Sequence, residues 1–246
     1  MARSQPPQQP PPVQKLRLQH VKRGTARFAS HRDFGRALER ALRRAGVPMA
    51  YSSGFSPHPR ISYAGAAPTG TSSEAEYVEL GLSERCDPQK VCDALNRALP
   101  AGFDIVKIVE ADGRRLPELL QASWWTIELP GVDQQIFVQL ADSLRNADRI
   151  DVSRMTKKGE RRFDVRPGLV KVWTSQSGLE LIIRHSEPLV RPDDVVAALR
   201  LLAPQLLSEI DAPRATRRAQ GPLIGDRVSD PLEQGGPRPA PGARTA

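Results

Sequence analysis

Apolar side chains alternate with polar ones through Leu16 and Leu18, and with Val21 near the end they predict a first β-strand closing at Gly24. The period then changes. Phe34, Ala37, Leu38, Ala41, Leu42 and Ala45 recur at three- and four-residue spacing, the mark of a helix with one apolar face. Ser30, with Asp33 three residues on, reads as a capping box with Asp in the usual place of Glu, and Gly46 and Pro48 end the helix. A short strand at 49–51, a loop at 52–60 and a hairpin of strands at 61–67 and 75–82 follow. Asp87 and Pro88 then open a second helix with Val91, Ala94, Leu95 and Leu99 inward, and a strand at 102–109 ends the region. The order β-α-β-β-α-β is that of the ferredoxin-like sandwich.

A second periodic region predicts a strand at 124–129 and a helix at 135–147. Strands at 150–155, 163–166, 169–174 and 179–185 and a helix at 193–202 come next. The fold expected is therefore α+β, two tandem ferredoxin-like sandwiches with the second degenerate. Its parts are a disordered tail at 1–14, a basic domain at 15–114, a second domain at 115–212 and a disordered Pro/Gly/Arg-rich tail at 213–246. Trp124 and Trp125, adjacent on a strand, must point to opposite faces. The expectation is one in the core and one at a domain interface, and an exposed one would instead be a stacking surface.

Charge sharpens the picture. The chain of 246 residues has a net charge of +8, and the excess is local. Positions 15–60 hold eleven Lys or Arg against Asp33 and Glu39, while the remaining residues carry 25 basic and 26 acidic groups. Concentrated positive potential attracts polyanions and releases their counterions on binding. Arg32, Arg36, Arg40, Arg43 and Arg44 fall on the polar face of the first helix, opposed only by Glu39. Arg27 and His31 flank its N-terminus, where free N–H groups favour an anion, although Asp33 competes there. The loop at 54–60 is stiffened by Pro57 and Pro59 around His58 and presents Phe55 and Arg60, a set suited to base stacking with phosphate contact. The turn at 156–162 offers Lys157 and Lys158 to a phosphate backbone.

Other chemistries find less support. No apolar run is long enough for a membrane span, and the Pro/Gln-rich start lacks the apolar core of a secretory signal, so the expected location is cytoplasmic. Cys86 and Cys92 have neither zinc-finger nor iron–sulfur spacing, and no phosphate-binding or dinucleotide loop follows a strand, so neither a metal nor a cofactor is expected. His31 and His58 would serve as general acid and base for metal-free RNA cleavage if the fold brought them together.

The run from Gly24 to Asp33, then Arg36, Glu39, Arg40, Arg43 and Arg44, then the stretch from Ser53 to Ser62, resembles a known family. So do Pro68-Thr69-Gly70, Glu74 to Glu76, Lys157-Lys158-Gly159 and Asp164-Val165-Arg166-Pro167. The likeness is to the radical SAM-linked domain of unknown function, over about residues 15–210. That domain is found as a separate protein or C-terminal to cobalamin-binding radical SAM proteins. The resemblance implies work near a radical SAM system or RNA metabolism and supplies no reaction. This chain lacks the three closely spaced cysteines of the radical enzyme itself. The element order is also similar, at the level of fold alone, to CRISPR RNA-processing proteins with paired ferredoxin-like domains. The leading expectation is an accessory RNA-binding protein that presents tRNA or rRNA to a radical SAM or RNA-processing partner. The alternatives are a ribonuclease or RNA-modifying enzyme using His31 and His58, and an interaction module whose basic face docks an acidic protein.

Overall fold

The computed structural model describes residues 7–157, 159–206 and 213–233, which form a mixed α+β protein. The chain divides into two compact units. The first spans described residues 7–119 with 232 and 233, and the second spans residues 120–231.

In the first unit β1 (Gln14–Lys22), α1 (His31–Arg44), β2 (Ile61–Ala64), β3 (Ser72–Leu82), α2 (Pro88–Ala98) and β4 (Ile105–Glu110) follow one another, and the short α3 (Leu116–Leu119) ends it. The strands lie in the order β4-β1-β3-β2 with every neighbour antiparallel, the ferredoxin-like order. Ser30 caps α1 as the spacing predicts. Its hydroxyl accepts from the Asp33 amide, and its own amide donates to the Asp33 carboxylate. Two hydrogen bonds from Ser30 hold the Asp33 carboxyl below the usual carboxylate range. Asp87 likewise accepts from the amides of Gln89 and Lys90 at the start of α2. The apolar stripe of α1, Phe34, Leu38, Ala41 and Leu42, packs with Leu16, Leu18, Val78, Leu80 and Leu95 in one core. Burying each of the larger of these side chains is worth roughly 1.5–3 kcal/mol.

The expected N-terminal tail is corrected at its end. Gln14 is the first residue of β1, 5 % exposed, and its side chain is held by Cys86 and Glu110. The Val13 amide donates to the Leu82 carbonyl, and Pro12 covers Gly81, where a Cβ would come 2.9 Å from the proline ring. A proline-rich segment needs no core of its own when a strand end offers it partners. The expected disorder at 1–6 lies outside the described residues. The short strand expected at 49–51 is reduced to two isolated bridges, Met49 to Leu82 and Tyr51 to Pro59.

The second unit comprises β5 (Ala122–Glu128), α4 (Gln134–Asn146), the hairpin β6 (Asp151–Thr156) and β7 (Gly159–Asp164), β8 (Leu169–Thr174), β9 (Gly178–Arg184), α5 (Pro192–Leu202) and β10 (Arg214–Gly221). A small hairpin of β11 (Leu223–Ile224) and β12 (Arg227–Val228) follows. The sheet order is β10-β5-β9-β8, again antiparallel throughout, while among the described residues β6 and β7 pair only with each other. Residues 214–221, expected in a disordered tail, form a strand of this sheet, paired along β5. The segment reads as polar, but Arg217 is 3 % exposed, its guanidinium lies 5.4 Å from the centre of the Trp125 ring, and it donates to Gln220. Within the same expected tail the β11–β12 hairpin is also ordered, and residues 234–246 lie outside the described residues.

His185 ties the ends of two segments together. Its Nδ1–H donates to the Leu120 carbonyl at 2.7 Å, which leaves Nε2 to accept from the Ser123 hydroxyl at 2.7 Å. Burial pushes its pKa down from the ordinary value, with help from Arg217 and against the pull of the Leu120 carbonyl. The unfolded imidazole therefore protonates first as the pH falls. Stability that is full well above pH 6.5 is expected to decline as the pH drops through 6.5 toward the folded value, by at most about 1.4 kcal/mol per pH unit. Urea unfolding of the wild type and of His185→Gln between pH 8 and pH 5 checks this. The difference between the two should shrink with acid, and a difference independent of pH would refute it.

Candidate functional site

Five guanidinium groups stand on one face of α1. Arg32, Arg36, Arg40, Arg43 and Arg44 are all exposed, and among the described residues none is within ion-pair distance of a carboxylate. The helix itself is held by its capping box and buried stripe, so the arginines are presented on a rigid element. Like charges spaced four apart on a helix repel by a few tenths of a kcal/mol per pair. Across from the C-terminal end of α1, Arg97 of α2 joins Arg44 on the walls of one surface recess with Ala45, Ala94 and Ala98.

The other predicted residues divide between the two faces of the first sheet. His31, at the start of α1, lies on the helix side. Its ring meets the Tyr63 ring edge-on at 4.5 Å. Tyr63 also abuts Gly35, where a Cβ would come 3.2 Å from the phenol oxygen. Burial and then the nearby Glu39 push the Tyr63 hydroxyl up to about 12. Arg27 lies over the ring of its own neighbour Phe28 at 4.6 Å. His58 and Arg60 line a cleft with Lys15, Glu79 and Gly81, residues of β1 and β3 that point away from the helices. His58 is held there by Ser52, whose hydroxyl lies 2.9 Å from Nδ1, and the Arg60 Nε–H donates to the Tyr51 carbonyl. The two histidines thus line separate cavities, His31 with His20 and Tyr63, and His58 with Lys15 and Arg60. Phe55 stands out from the loop, 66 % exposed. Lys157 is exposed on the β6–β7 hairpin, in the second unit, and Lys158 lies outside the described residues.

Two polar sites escaped the sequence reading. Beside the start of α1, His20, Lys22 and Glu76 are buried together around a cavity of about 20 Å³, room for one water. The His20 ring stacks on Phe34 at 3.9 Å, Lys22 Nζ donates to the Pro68 carbonyl, and Glu76 accepts from the Ala67 amide. Together these contacts clasp the connection between β2 and β3. A signal was present: the inward positions 16 and 18 continue into 20 and 22 as His and Lys, so a buried polar end was legible from the alternation. The second site is a cavity of about 440 Å³ on the face of the sheet away from α1 and α2, lined by Lys15, Arg17, Glu79, Arg114, Arg115 and the start of α3 among others. Arg17 lines it, 2 % exposed, and donates to Glu79 at 3.0 Å, Asp112 at 3.1 Å and the Arg114 carbonyl. Burial pushes the Glu79 carboxyl up, but the hydrogen bonds from Lys15 and Arg17 outweigh it and leave the group below its ordinary value. Among the described residues no group of three His, Cys, Asp or Glu is arranged to hold a metal ion, and no helix is long and apolar enough to cross a membrane.

Sheet order and arginine face together define an α+β protein whose first unit is ferredoxin-like and carries an exposed basic helix. The chain belongs to the family described as uncharacterized protein conserved in bacteria (DUF2344), whose model matches residues 15–192. No curated protein matches it. Among solved structures it is similar to the acetolactate synthase small subunit from Thermotoga maritima, with 15 % identity over 83 % of this chain and 97 % of that one and a TM-score of 0.23. That likeness is too distant to carry an argument.

Proposed function

We propose that this protein binds RNA through the arginine face of α1 and serves as an accessory factor in RNA modification or processing. The observation that carries the reading is the set of five exposed arginines without carboxylate partners on one capped helix. Guanidinium groups in such a row match the spacing and charge of a phosphate backbone, and unpaired ones are not already neutralised. Phe55 and His58 are exposed on the loop that follows α1, His58 on the other side of the sheet, and in this reading they form a second contact region that adds contacts beyond phosphate. In this reading the two units are tandem copies of one βαββαβ fold, the second carrying the β6–β7 hairpin as an insertion. The RNA is tRNA or rRNA, the partner is a radical SAM or RNA-processing enzyme, and the setting is the cytoplasm.

The test is binding of a labelled tRNA-sized RNA across a salt series by the wild type and by a variant with Arg36, Arg40 and Arg43 changed to Ala. The wild type is expected to bind with a steep salt slope. The variant is expected to lose at least about tenfold in affinity and about three from the magnitude of the log–log slope, near one per phosphate contact removed. A wild type that binds no RNA at moderate salt sinks the proposal. An unchanged slope in the variant removes α1 from it.

A further inference from the structure

We infer that the helix-free face of the sheet in the second unit is a stacking platform for the bases of single-stranded RNA. The inference rests on the reading of the protein as an RNA binder and adds where bases, rather than phosphates, are held. Cross-strand partners share a face of a sheet. Trp124 of β5 lies opposite Ile182 of β9, and Thr126 opposite Glu180. From the other side of β9, Lys171 of β8 lies opposite Ile182 and Trp173 opposite Glu180. Trp124, Thr126, Glu180, Ile182, Lys171 and Trp173 therefore share one face, on which Trp124 and Lys171 are exposed, Trp173 is half-buried and Thr126, Glu180 and Ile182 are buried beneath them. Trp125, Ile127, Leu179 and Leu181 take the other and are buried in the core.

The two indoles on the helix-free face lie 5.9 Å apart, inclined by 40°. Trp124 is 37 % exposed, while its chain neighbour Trp125 is 5 % exposed. A hydrogen-bonded network fixes the Trp124 ring. Its Nε1–H donates to Glu180 at 2.5 Å, the Thr126 hydroxyl donates to the same carboxylate at 3.0 Å, and the Arg218 Nε–H donates to Thr126 at 2.8 Å. A ring held in place from below loses little freedom when a base stacks on it.

Cations share this face with the rings. Lys171 Nζ lies 5.7 Å from the centre of the Trp173 ring, and Arg184 and Arg218 are exposed. Two carboxylates on this face are engaged: Glu180 holds Trp124 and Thr126, and Asp226, on the turn between β11 and β12, is paired with Lys171; Glu128, at the end of β5, shares the face. Asp226 thus supplies Lys171 with the negative oxygen that a phosphate would bring. Flat aromatic surface interleaved with cations matches a strand whose bases are unpaired and splayed. A duplex cannot bring its base faces to the indoles, and an acidic peptide would use the cations and leave the rings idle.

All three tryptophans of the chain, Trp124, Trp125 and Trp173, lie in the second unit, so intrinsic fluorescence reports on this sheet. The full chain is titrated with a short single-stranded oligoribonucleotide and, separately, with inorganic polyphosphate of matching charge. The oligoribonucleotide is expected to quench the emission saturably, and polyphosphate is not. Trp124→Leu should weaken RNA binding about tenfold and remove most of the quenching, while Trp124→Phe, which keeps an aromatic face, should retain most of the affinity. The variant lacking Arg36, Arg40 and Arg43 should bind more weakly yet reach the same quenching at saturation. RNA that binds without quenching, equal quenching by polyphosphate, or equal losses in the Leu and Phe variants would overturn the platform and leave the α1 reading standing. A wild type that binds no RNA overturns both.

Discussion

Arg17→Ala is expected to lose about 3–5 kcal/mol of unfolding free energy, the range for removing one partner from a buried charge network. The guanidinium is 2 % exposed and satisfies Glu79, Asp112 and the Arg114 carbonyl at once. Its loss leaves Glu79 with Lys15 alone and frees the segment after β4, which Asp112 and Arg114 otherwise fasten to β1. Arg17→Lys should recover little, because a single ammonium cannot reach three acceptors in a fork. Pairing Arg17→Met with Glu79→Gln should recover more, because it removes a charge from each side. Denaturant unfolding at constant slope measures each value. A loss below about 1 kcal/mol for Arg17→Ala would mean that water replaces the guanidinium without penalty. Acid should act in the same direction. The Glu79 and Asp112 carboxyls both titrate below their ordinary values, so the stability they add is present above the unfolded pKa and is lost as the pH falls through the folded one.

Gly178→Ala is expected to cost about 3 kcal/mol or more, at the upper end for overpacking, because the obstacle is backbone rather than a side chain that can turn aside. A Cβ at position 178 would come 2.1 Å from the Ile127 carbonyl oxygen and 3.0 Å from the Glu128 Cα. Gly178 opens β9 in register with Glu128, so relief requires β5 and β9 to part at that end. Two residues along, Glu180 anchors Trp124, and the disturbance should therefore also appear in tryptophan emission. Thermal unfolding followed by fluorescence tests both effects together. A variant with the wild-type midpoint and spectrum would show that the strands do not approach this closely in solution.

Much of the first unit was legible because its signals are local. The Ser30 and Asp33 capping box, Asp87 with Pro88, and the change from alternating to helical spacing each lie within a few residues, and each appears where expected. The exposure of the α1 arginines was legible for the same reason, since a helix that buries Phe34, Leu38 and Leu42 must turn positions 36, 40 and 43 outward. The catalytic pairing of His31 with His58 was beyond such reasoning. It depends on which side of the sheet each segment ends, and they line cavities on different sides. The polar cluster of His20, Lys22 and Glu76 was missed because its members are spread over positions 20 to 76, although the parity of 20 and 22 pointed inward.

Element type, helix caps and the segment that holds the excess charge follow from the sequence alone, because backbone hydrogen bonding and side-chain period act over a few residues. The role of residues 214–221 does not. Arg214-Ala215-Thr216-Arg217-Arg218 has no apolar period of its own and becomes a strand because β5 offers an open edge and Trp125 covers Arg217. The aromatic face made by Trp124 and Trp173 belongs to the tertiary structure as well. Those residues are 49 positions apart and meet only because β9 pairs with β5 on one side and β8 on the other. Long-range strand pairing is decided by which edges are free after the local elements have formed, and the chain around each edge carries little record of it.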